Sequence, residues 1–397
     1  MKYDTKKQTM ETTTLLNIIA LGESSTVQFK RTFDSVKKIT AEVAAFLNTN
    51  GGTIIIGVDN DKSIVGIDAD KEDQLIQWLG TASTEQHLTP PASITIEKYL
   101  IDEKMLIVVD VPNGTNKPYQ TKEGSLIYVK NAADKRIASV EELRRIMQSS
   151  GQIHSDEMPV NNTSLIDLNK KIVNSLLLKK IGKSITDFDV PYKTLLENIG
   201  FLVNDRVTLA GLLIACETPQ KYKPLFTIHC VHFDGASITT DKYIDKENPF
   251  EGNIKTVFDN TMVFIGRNIK KVQEEGTSFN SSPKWLVPRE VFEELIVNAI
   301  LHRDYFINAT IKVFMFNDRI EIISPGKLPN SQTIEKIKLN SSVPRNPILV
   351  TNASHILPYS GVGSGIPRAI NKYENIDFID DRDKDLFIAI IRYQKIA

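Results

Sequence analysis

The hydrophobic positions of the first 150 residues alternate between helical and strand spacing, which is typical of a chain that mixes helices and strands. Residues 35–50 repeat apolar side chains at helical spacing, and a Gly-initiated apolar run follows at once. Ser139 and Glu142 match a capping box and predict that a short helix begins there. The predicted elements are helices at 35–50 and 139–148, a strand at 51–60 paired back by 63–68, a hairpin of 94–100 with 105–112, and a strand at 126–130.

The rest of the chain starts after 149–163, where periodicity is lost and turn-forming residues gather. The predicted elements are helices within 165–200 and at 253–274 and 291–305, strands at 207–217 and 225–234, and a hairpin of 310–316 with 319–324. We therefore divide the chain into an arm at 1–14, a domain at 15–150, a linker at 151–164, a mixed region at 165–284 and a domain at 285–397. The fold class is α/β, of the α+β kind.

Composition narrows the classes of protein. Apolar residues make up 41% of the chain, and the net charge is −1, so any basic surface that attracts nucleic acid must be local. Cys216 and Cys230 are too few for a disulfide framework and suit a reducing compartment. No apolar run approaches the ~20 residues that span a bilayer. We expect a cytoplasmic protein with no membrane segment.

One predicted helix carries polar residues where a core helix would not. Glu290, Glu294, Asn298 and His302 follow at four-residue spacing and so share one face. An amide beside a carboxylate can hold Mg²⁺, which binds nucleotide phosphates, and the carboxylate can orient a water molecule. Alone, this spacing is far more typical of a solvated helix face.

Two glycine-containing turns follow the polar helix. Gly326 comes directly after the strand at 319–324, and a Gly-rich segment at 361–370 leads into a predicted helix. Free backbone N–H groups at such a turn can bind phosphate, and the helix dipole assists. The order of polar helix, hairpin, glycine turn, irregular segment and second glycine turn is more informative than any one part.

That order resembles the GHKL ATPase group, which includes gyrase and histidine kinases. The closest match is to a divergent branch with the motifs "NAxxHRDY", "RIEIxxPGxLP", "RNP" and "GxGI", found here at 298–305, 319–329, 345–347 and 363–366. The resemblance implies an α/β sandwich that binds ATP and Mg²⁺. It makes Glu294 the water-orienting base and Asn298 the Mg²⁺ ligand.

The same resemblance assigns the remaining cofactor-binding residues. Gly326 would lie beside the adenine pocket, 330–360 would form a lid, and the later glycines would bind phosphate. Where the wider group has an aspartate for the adenine amino group, this chain reads Ser324-Pro325-Gly326. The cofactor-binding set is Asn298, His302, Arg303, Asp304, Ser324, Gly326, Arg345, Asn346, Gly361, Gly363 and Gly365.

The first domain has its own resemblance. The segments "LGESSTVQFKRTF" (21–33), "NGGTIIIGVDN" (50–60) and "IYVKNAADKRIAS" (127–139) resemble the Schlafen/AlbA-like domain, also called a divergent AAA domain. Chains that join this domain to the ATPase module are described as transcriptional regulators or RecG-like proteins. The resemblance implies a nucleic-acid partner, either DNA or RNA.

Binding and cleavage remain alternative functions for this domain. In nuclease members of the Schlafen group three carboxylates gather a metal, and their counterparts here are Glu23, Gln28 and Asp59. Because Gln28 supplies no negative charge, binding is favoured over metal-dependent cleavage. The residues expected to contact phosphates are Lys30, Arg31, Lys37 and Lys38.

The leading hypothesis is an ATP-binding, nucleic-acid-binding regulatory protein with at most slow ATP hydrolysis. The alternative is a nucleotide-gated RNA or DNA nuclease, in phage defence for example, with Glu23 and Asp59 as catalytic residues. A third reading is a scaffold in which neither site works. Since a symmetric pair doubles weak phosphate contacts, we also expect a homodimer or higher oligomer.

Overall fold

The structure is a computed structural model that describes residues 11–238, 242–273, 283–329, 332–341, 343–359 and 365–393. The chain separates into two compact units, Met1–Ile153 and His154–Ala397. Most of the N-terminal arm, 1–10, lies outside the described residues, and the first helix begins at Thr12. Among the described residues, none of the helices combines the length and the hydrophobicity that a membrane crossing needs.

The first unit consists of four helices and eight strands in its described part. These are α1 Thr12–Leu21, β1 Val27–Lys30, α2 Val36–Asn48, β2 Gly52–Ile56, α3 Ala69–Ala82, β3 Leu88–Thr89, β4 Thr95–Ile101, β5 Lys104–Val111, β6 Gln120–Thr121, β7 Tyr128–Asn131, β8 Asp134–Ile137 and α4 Val140–Ser149.

The first unit is built around a four-stranded sheet in the order β1-β2-β5-β4. Strand β1 runs parallel to β2, whereas β5 pairs antiparallel with both β2 and β4. Because successive side chains of a strand point to opposite faces, Ile54 and Ile56 join a core with α2 and α3, while Ile55 joins a second core with α1. The sheet is therefore covered on both faces.

Most predicted elements of this unit are confirmed. The helix at α2, the hairpin of β4 with β5, and the capping box of Ser139 and Glu142 at α4 are all present. The prediction of a second hairpin strand at 63–68 is wrong, because a single bridge, between Val58 and Ile64, forms there. Two amides, from residues 65 and 66, both donate to the carbonyl of Gly57, which makes a tight turn in place of a ladder.

The second unit contains the remaining described α-helices and β-strands. These are α5 Lys170–Ile181, α6 Tyr192–Asn198, β9 Leu202–Val203, β10 Arg206–Val207, α7 Leu209–Ala215, β11 Ile228–Phe233, β12 Tyr243–Lys246, α8 Ile254–Asn268, β13 Lys271–Val272, β14 Lys284–Trp285, α9 Arg289–His302, β15 Ile311–Met315, β16 Arg319–Pro325, α10 Ile334–Lys338, α11 Pro347–Ala353, α12 Gly365–Lys372, β17 Ile376–Asp381 and β18 Leu386–Arg392.

A six-stranded sheet in the order β12-β11-β15-β16-β18-β17 organises the second unit. Strands β11 and β15 are parallel, and the other neighbours are antiparallel. One face of the sheet carries the main core with the helices, and α9 packs there against α8, α12 and β16. The polar helix of the sequence is thus held over the centre of the sheet.

Two predicted elements of the second unit need correction, and helix α9 ends at His302 where the sequence predicts residue 305. The strand at 207–217 is wrong, since residues 209–215 form helix α7, capped by the Thr208 hydroxyl that accepts from the amide of Gly211 at 3.1 Å. Every residue of α7 is buried, so an unbroken apolar run fitted a buried strand equally well. The helix predicted to reach residue 274 ends at Asn268, because Lys271–Val272 pairs with Lys284–Trp285.

Candidate functional site

The polar residues of helix α9 become more buried along the helix, from Glu290 to Glu294. Val291, Leu295 and Ile296 are buried in the main core on its apolar side. On the polar side, Glu290 is exposed and Glu294 is only 9% exposed. The stripe therefore runs from solvent into the protein, which a solvated helix face does not do.

The stripe ends in an open cavity between α9, the sheet and α12. Helix α9 contributes Leu295, Asn298 and His302, and strand β16 contributes Ile322 and Ser324. Most of the wall is apolar, with Ile366 and Phe387 among its residues, while the amide of Asn298 and the guanidinium of Arg345 are polar groups on it. A cavity with a broad apolar wall and a few polar groups suits a ligand with a flat ring and a charged tail.

Gly326 allows the chain to pass close to this wall. Its φ is +104°, a conformation that favours glycine, and a Cβ atom there would lie 2.5 Å from Cβ of Asp304 and 2.6 Å from Nη1 of Arg345. Its amide donates to the carbonyl of Asp385 at 2.7 Å. The glycine after β16 is therefore required by the backbone conformation and by crowding.

Gly365 has a comparable constraint at the start of α12. A Cβ atom there would clash with Oε2 of Glu294 and would lie 3.1 Å from Nδ2 of Asn298. The backbone of α12 thus approaches both polar residues of α9 directly. Gly361 and Gly363, the other two predicted phosphate-binding glycines, lie outside the described residues.

The carboxylate of Glu294 is held by Arg368 from α12. Nη2 of Arg368 donates to Oε1 of Glu294, whereas Oε2 is buried and has no hydrogen-bond partner among the described residues. Burial raises the pKa of Glu294, and the charge of Arg368 opposes that rise. One turn later, the amide of Asn298 donates to the Glu294 carbonyl at 2.7 Å, which fixes the side chain.

His302 and Arg345 lie together at another part of the cavity wall. Nη1 of Arg345 donates to the carbonyl of His302 at 3.3 Å, and Nη2 donates to the carbonyl of Lys327 at 2.8 Å. Burial, together with the charge of Arg345, lowers the pKa of His302 to about 4. The imidazole is therefore neutral near pH 7, and the positive charge here belongs to Arg345.

Three predicted cofactor-binding residues do not line the cavity. The guanidinium of Arg303 contacts the rings of Phe226 and Tyr305, 4.7 and 4.8 Å from their centroids. The side chain of Asp304 accepts from the amide of residue 306 at 2.9 Å. The amide of Asn346 donates to the carbonyls of residues 301 and 303 at 2.9 and 3.0 Å. Their contacts hold the end of α9 in place.

The sequence reasoning missed Arg368. It lies in the same stretch as the predicted glycines, three residues after Gly365, and residues at this spacing share a helix face. Because the sequence predicts that Gly365 binds phosphate, this spacing also indicates that Arg368 lies near the phosphates. Ser324 lines the cavity, and its hydroxyl donates to the carbonyl of Ala299 at 3.2 Å.

In the first unit, a lysine joins the predicted carboxylate group. Oε1 of Glu23 accepts from the side chain of Gln28 and from the amide of Phe29 at 2.7 Å. The ammonium of Lys130 donates to Oε1 of Gln28 and lies 4.9 Å from the ring centre of Phe46. Burial lowers the pKa of Lys130. In the described residues, no three His, Cys, Asp or Glu side chains are grouped as a metal would require.

The four predicted phosphate-contacting residues are each paired with a carboxylate. Asp59, the third predicted member of the carboxylate group, lies 3.8 Å from Arg31. The other pairs are Lys30 with Glu42 at 3.6 Å, Lys37 with Glu123 at 2.7 Å and Lys38 with Asp34 at 2.5 Å. Lys135, which is not among the predicted phosphate-contacting residues, also pairs with Glu42 at 2.7 Å. The pairs of Lys37 and Lys38 are exposed on both sides and contribute little to stability, whereas Glu42 is buried.

Family models match both parts of the chain. Residues 23–139 match the family described as Schlafen, AlbA_2. Residues 308–384 match the family described as putative ATP-dependent DNA helicase recG C-terminal. The chain joins a Schlafen AlbA_2 domain to an ATPase-type domain. The resemblances drawn from the sequence and the predicted fold class are thereby confirmed, and the second match indicates nucleotide binding.

Solved structures give two further comparisons. The DIP2311 protein from Corynebacterium diphtheriae is 17% identical, with 93% of this chain and 75% of that chain covered and a TM-score of 0.45. The N-terminal domain of a putative ATP-dependent DNA helicase RecG-related protein from Nitrosomonas europaea is 29% identical. That match covers 33% of this chain and 91% of that chain, with a TM-score of 0.25. No curated protein matches this chain significantly in sequence.

Proposed function

We propose that the ATPase-type domain binds ATP with Mg²⁺ in the cavity beside α9, and that the AlbA_2 domain binds nucleic acid. The protein then acts as a nucleotide-responsive regulator of the transcriptional kind, with at most slow hydrolysis of ATP. The observation that carries the proposal is the meeting of Glu294, Asn298 and Gly365 at one end of an apolar cavity.

The cavity fits the two halves of a nucleotide. A purine ring is flat and apolar on its faces, so it suits the wall formed by residues such as Leu295, Ile322 and Phe387. The triphosphate needs backbone N–H groups and cations, and α12 begins at Gly365, which comes closer to α9 than a residue with a Cβ atom can. Arg345 adds one fixed positive charge to the wall.

The same residues fit a magnesium ion bound together with the phosphates. Mg²⁺ prefers oxygen ligands and is commonly held by one or two protein groups plus substrate phosphates. The amide oxygen of Asn298 would hold it, with the carboxylate of Glu294 close by. When bound, the ion neutralises phosphate charge. The protein's own contribution is to position the phosphates and to keep Glu294 available for a water molecule.

Two features favour slow turnover. Arg368 binds the carboxylate of Glu294, and this contact must be broken before the carboxylate can orient a water molecule. Ser324 offers a hydroxyl, already donated to the carbonyl of Ala299, where the wider ATPase group has an aspartate for adenine. Weaker recognition of adenine and the need to free Glu294 first both favour slow turnover without preventing nucleotide binding.

The arrangement in the AlbA_2 domain favours binding of nucleic acid over its cleavage. The ammonium of Lys130 contacts Gln28, in the middle of the three positions that would hold a catalytic metal. A cation at that place repels a metal ion and attracts a phosphate. Lys30 ends the strand that contains Gln28, and Arg31 follows it directly, so both cations can contact phosphates next to Gln28.

Calorimetry tests the nucleotide site. Wild-type protein should bind ATP in the presence of Mg²⁺, and Asn298→Ala should lower the affinity by at least about tenfold, because it removes a ligand oxygen. Asn198→Ala changes an exposed asparagine at the end of α6 and serves as the matched control, with unchanged affinity expected. Circular dichroism must show that both variants are folded. A wild-type protein that binds no adenine nucleotide would sink the proposal.

A further inference from the structure

Two ion pairs join α12 to α9, and they differ in environment. Nζ of Lys372 lies 2.9 Å from Oε1 of Glu290, and these side chains are 50% and 55% exposed. Arg368 contacts Glu294, and here the carboxylate side chain is only 11% exposed while the arginine is 43% exposed. The first pair is an ordinary surface contact, and the second faces inward.

The inner pair leaves hydrogen-bonding capacity unused on both sides. Oε2 of Glu294 and Nε of Arg368 are both buried, and neither has a hydrogen-bond partner among the described residues. Arginine and carboxylate often form two parallel hydrogen bonds, but the recorded contact uses one Nη and one oxygen. Buried polar groups without partners are unfavourable, so this pair is ready to exchange for a better one.

Arg368 is also on the correct side of α12 to reach a ligand. Gly365 lines the cavity, and Arg368, three residues later in α12, lies on the same face of the helix. The partial exposure of Arg368 leaves its long side chain room to move. A guanidinium matches the geometry of phosphate oxygens and binds them through paired hydrogen bonds.

We propose that Arg368 detects the terminal phosphate of a nucleoside triphosphate. In the nucleotide-free protein it holds Glu294, and when a γ-phosphate enters, the guanidinium moves from the carboxylate to the phosphate. Glu294 is then released to orient a water molecule. The inference rests on the proposed nucleotide site and assigns a role to a residue that the sequence reasoning had not placed in it.

The released carboxylate sets up a balanced hydrolysis step. The water oxygen forms a new bond to the γ-phosphorus as the bond to the β–γ bridging oxygen breaks. ADP leaves with that electron pair, and a proton of the water passes through Glu294 to the phosphate product. Arg368 carries positive charge to the γ-phosphoryl oxygens during this step, as arginines do in other phosphoryl transfers.

A diphosphate has no γ-phosphate, so the pair of Arg368 and Glu294 should survive when ADP binds. The inference therefore concerns discrimination between triphosphate and diphosphate, beyond affinity for nucleotide as such. Measurement of both ligands separates a phosphate-detecting role from a purely structural one, because loss of structure would weaken both.

The experiment is calorimetry with Mg²⁺ and either ADP or a non-hydrolysable β,γ-imido analogue of ATP. Arg368→Ala should weaken binding of the triphosphate analogue by at least about tenfold, the expected loss for hydrogen bonds to a charged group, and should change ADP affinity by less than about twofold. Arg368→Lys keeps the charge without the fork and should fall between. Lys372→Ala removes the outer pair and should alter neither affinity.

The outcomes are distinct. If Arg368→Ala weakens both ligands equally, or neither, the phosphate-detecting role is wrong while the nucleotide site stands. If the wild-type protein binds neither ligand, both proposals fail together. Should Arg368→Ala not fold by circular dichroism, Arg368→Lys decides: an unchanged ratio of triphosphate to diphosphate affinity then overturns the inference, and a reduced ratio supports it.

Discussion

Asp156 gives the second unit a stability that depends on pH. Its side chain is fully buried, with Oδ2 accepting from the amide of Leu349 at 2.9 Å and Oδ1 without a partner among the described residues. Burial raises its pKa from 3.8 to about 6. The contact joins the start of the second unit to α11, two residues after Arg345 of the cavity wall.

The direction of the pH dependence follows from the raised pKa of Asp156. Because the folded protein favours the protonated carboxyl, the stabilising contribution is complete below pH 3.8 and is lost as the pH rises through 6. A rise of about two pKa units, at about 1.4 kcal/mol each, makes the total loss about 3 kcal/mol. Roughly half of this stability, about 1.5 kcal/mol, is lost between pH 5 and pH 8.

Asp156→Asn tests this, since asparagine is neutral and its Oδ1 can still accept from Leu349. The stability of the variant minus that of wild type should therefore increase by about 1.5 kcal/mol from pH 5 to pH 8, whatever the offset between them. Urea unfolding of the second unit can be followed through Trp285 in a Trp78→Phe background, because the chain has two tryptophans.

Asp259→Asn on α8 controls for the loss of one negative charge, since Asp259 is exposed and pairs with Lys255. The difference between this control and wild type should not change with pH over the same range. A difference for Asp156→Asn that stays within about 0.5 kcal/mol from pH 5 to pH 8 would refute the reasoning, as would one that decreases.

Two further predictions concern the two candidate sites. Gly326→Ala should lower the free energy of unfolding by about 2–5 kcal/mol, because the positive φ and the crowding both disfavour a Cβ atom. Gly182→Ala is the control, since Gly182 has φ +70° but no neighbour within 4 Å, and it should lower that free energy by only about 1–2 kcal/mol. Urea unfolding measures both values. Equal losses would contradict the crowding. Nucleic-acid affinity should fall with salt, and Lys30→Ala with Arg31→Ala should flatten that slope by about 0.7–0.9 per lost contact in a salt titration. Wild-type cleavage of RNA or DNA with Mg²⁺ or Mn²⁺ that vanishes in Asp59→Ala would promote the nuclease alternative instead.

Local features of the sequence predicted local structure well. The capping box of Ser139 and Glu142, the helix at α2 and the hairpin of β15 with β16 each depend on residues within a few positions of one another. The four-residue spacing on α9 likewise fixed which side chains share a face. Where local signals were ambiguous the prediction failed, as at α7, since a fully buried apolar run fits either a helix or a strand.

The sequence alone determined that one helix presents Glu294 and Asn298 together and that glycines stand at turns near them. Only the tertiary structure decided which partners those groups meet. Arg368 is 74 residues from Glu294, and Lys130 is 102 residues from Gln28. Helical and strand periods specify the face on which a side chain lies, but not the distant segment that packs against that face. The contacts that set the charge of each site form only when the core of its own unit is packed.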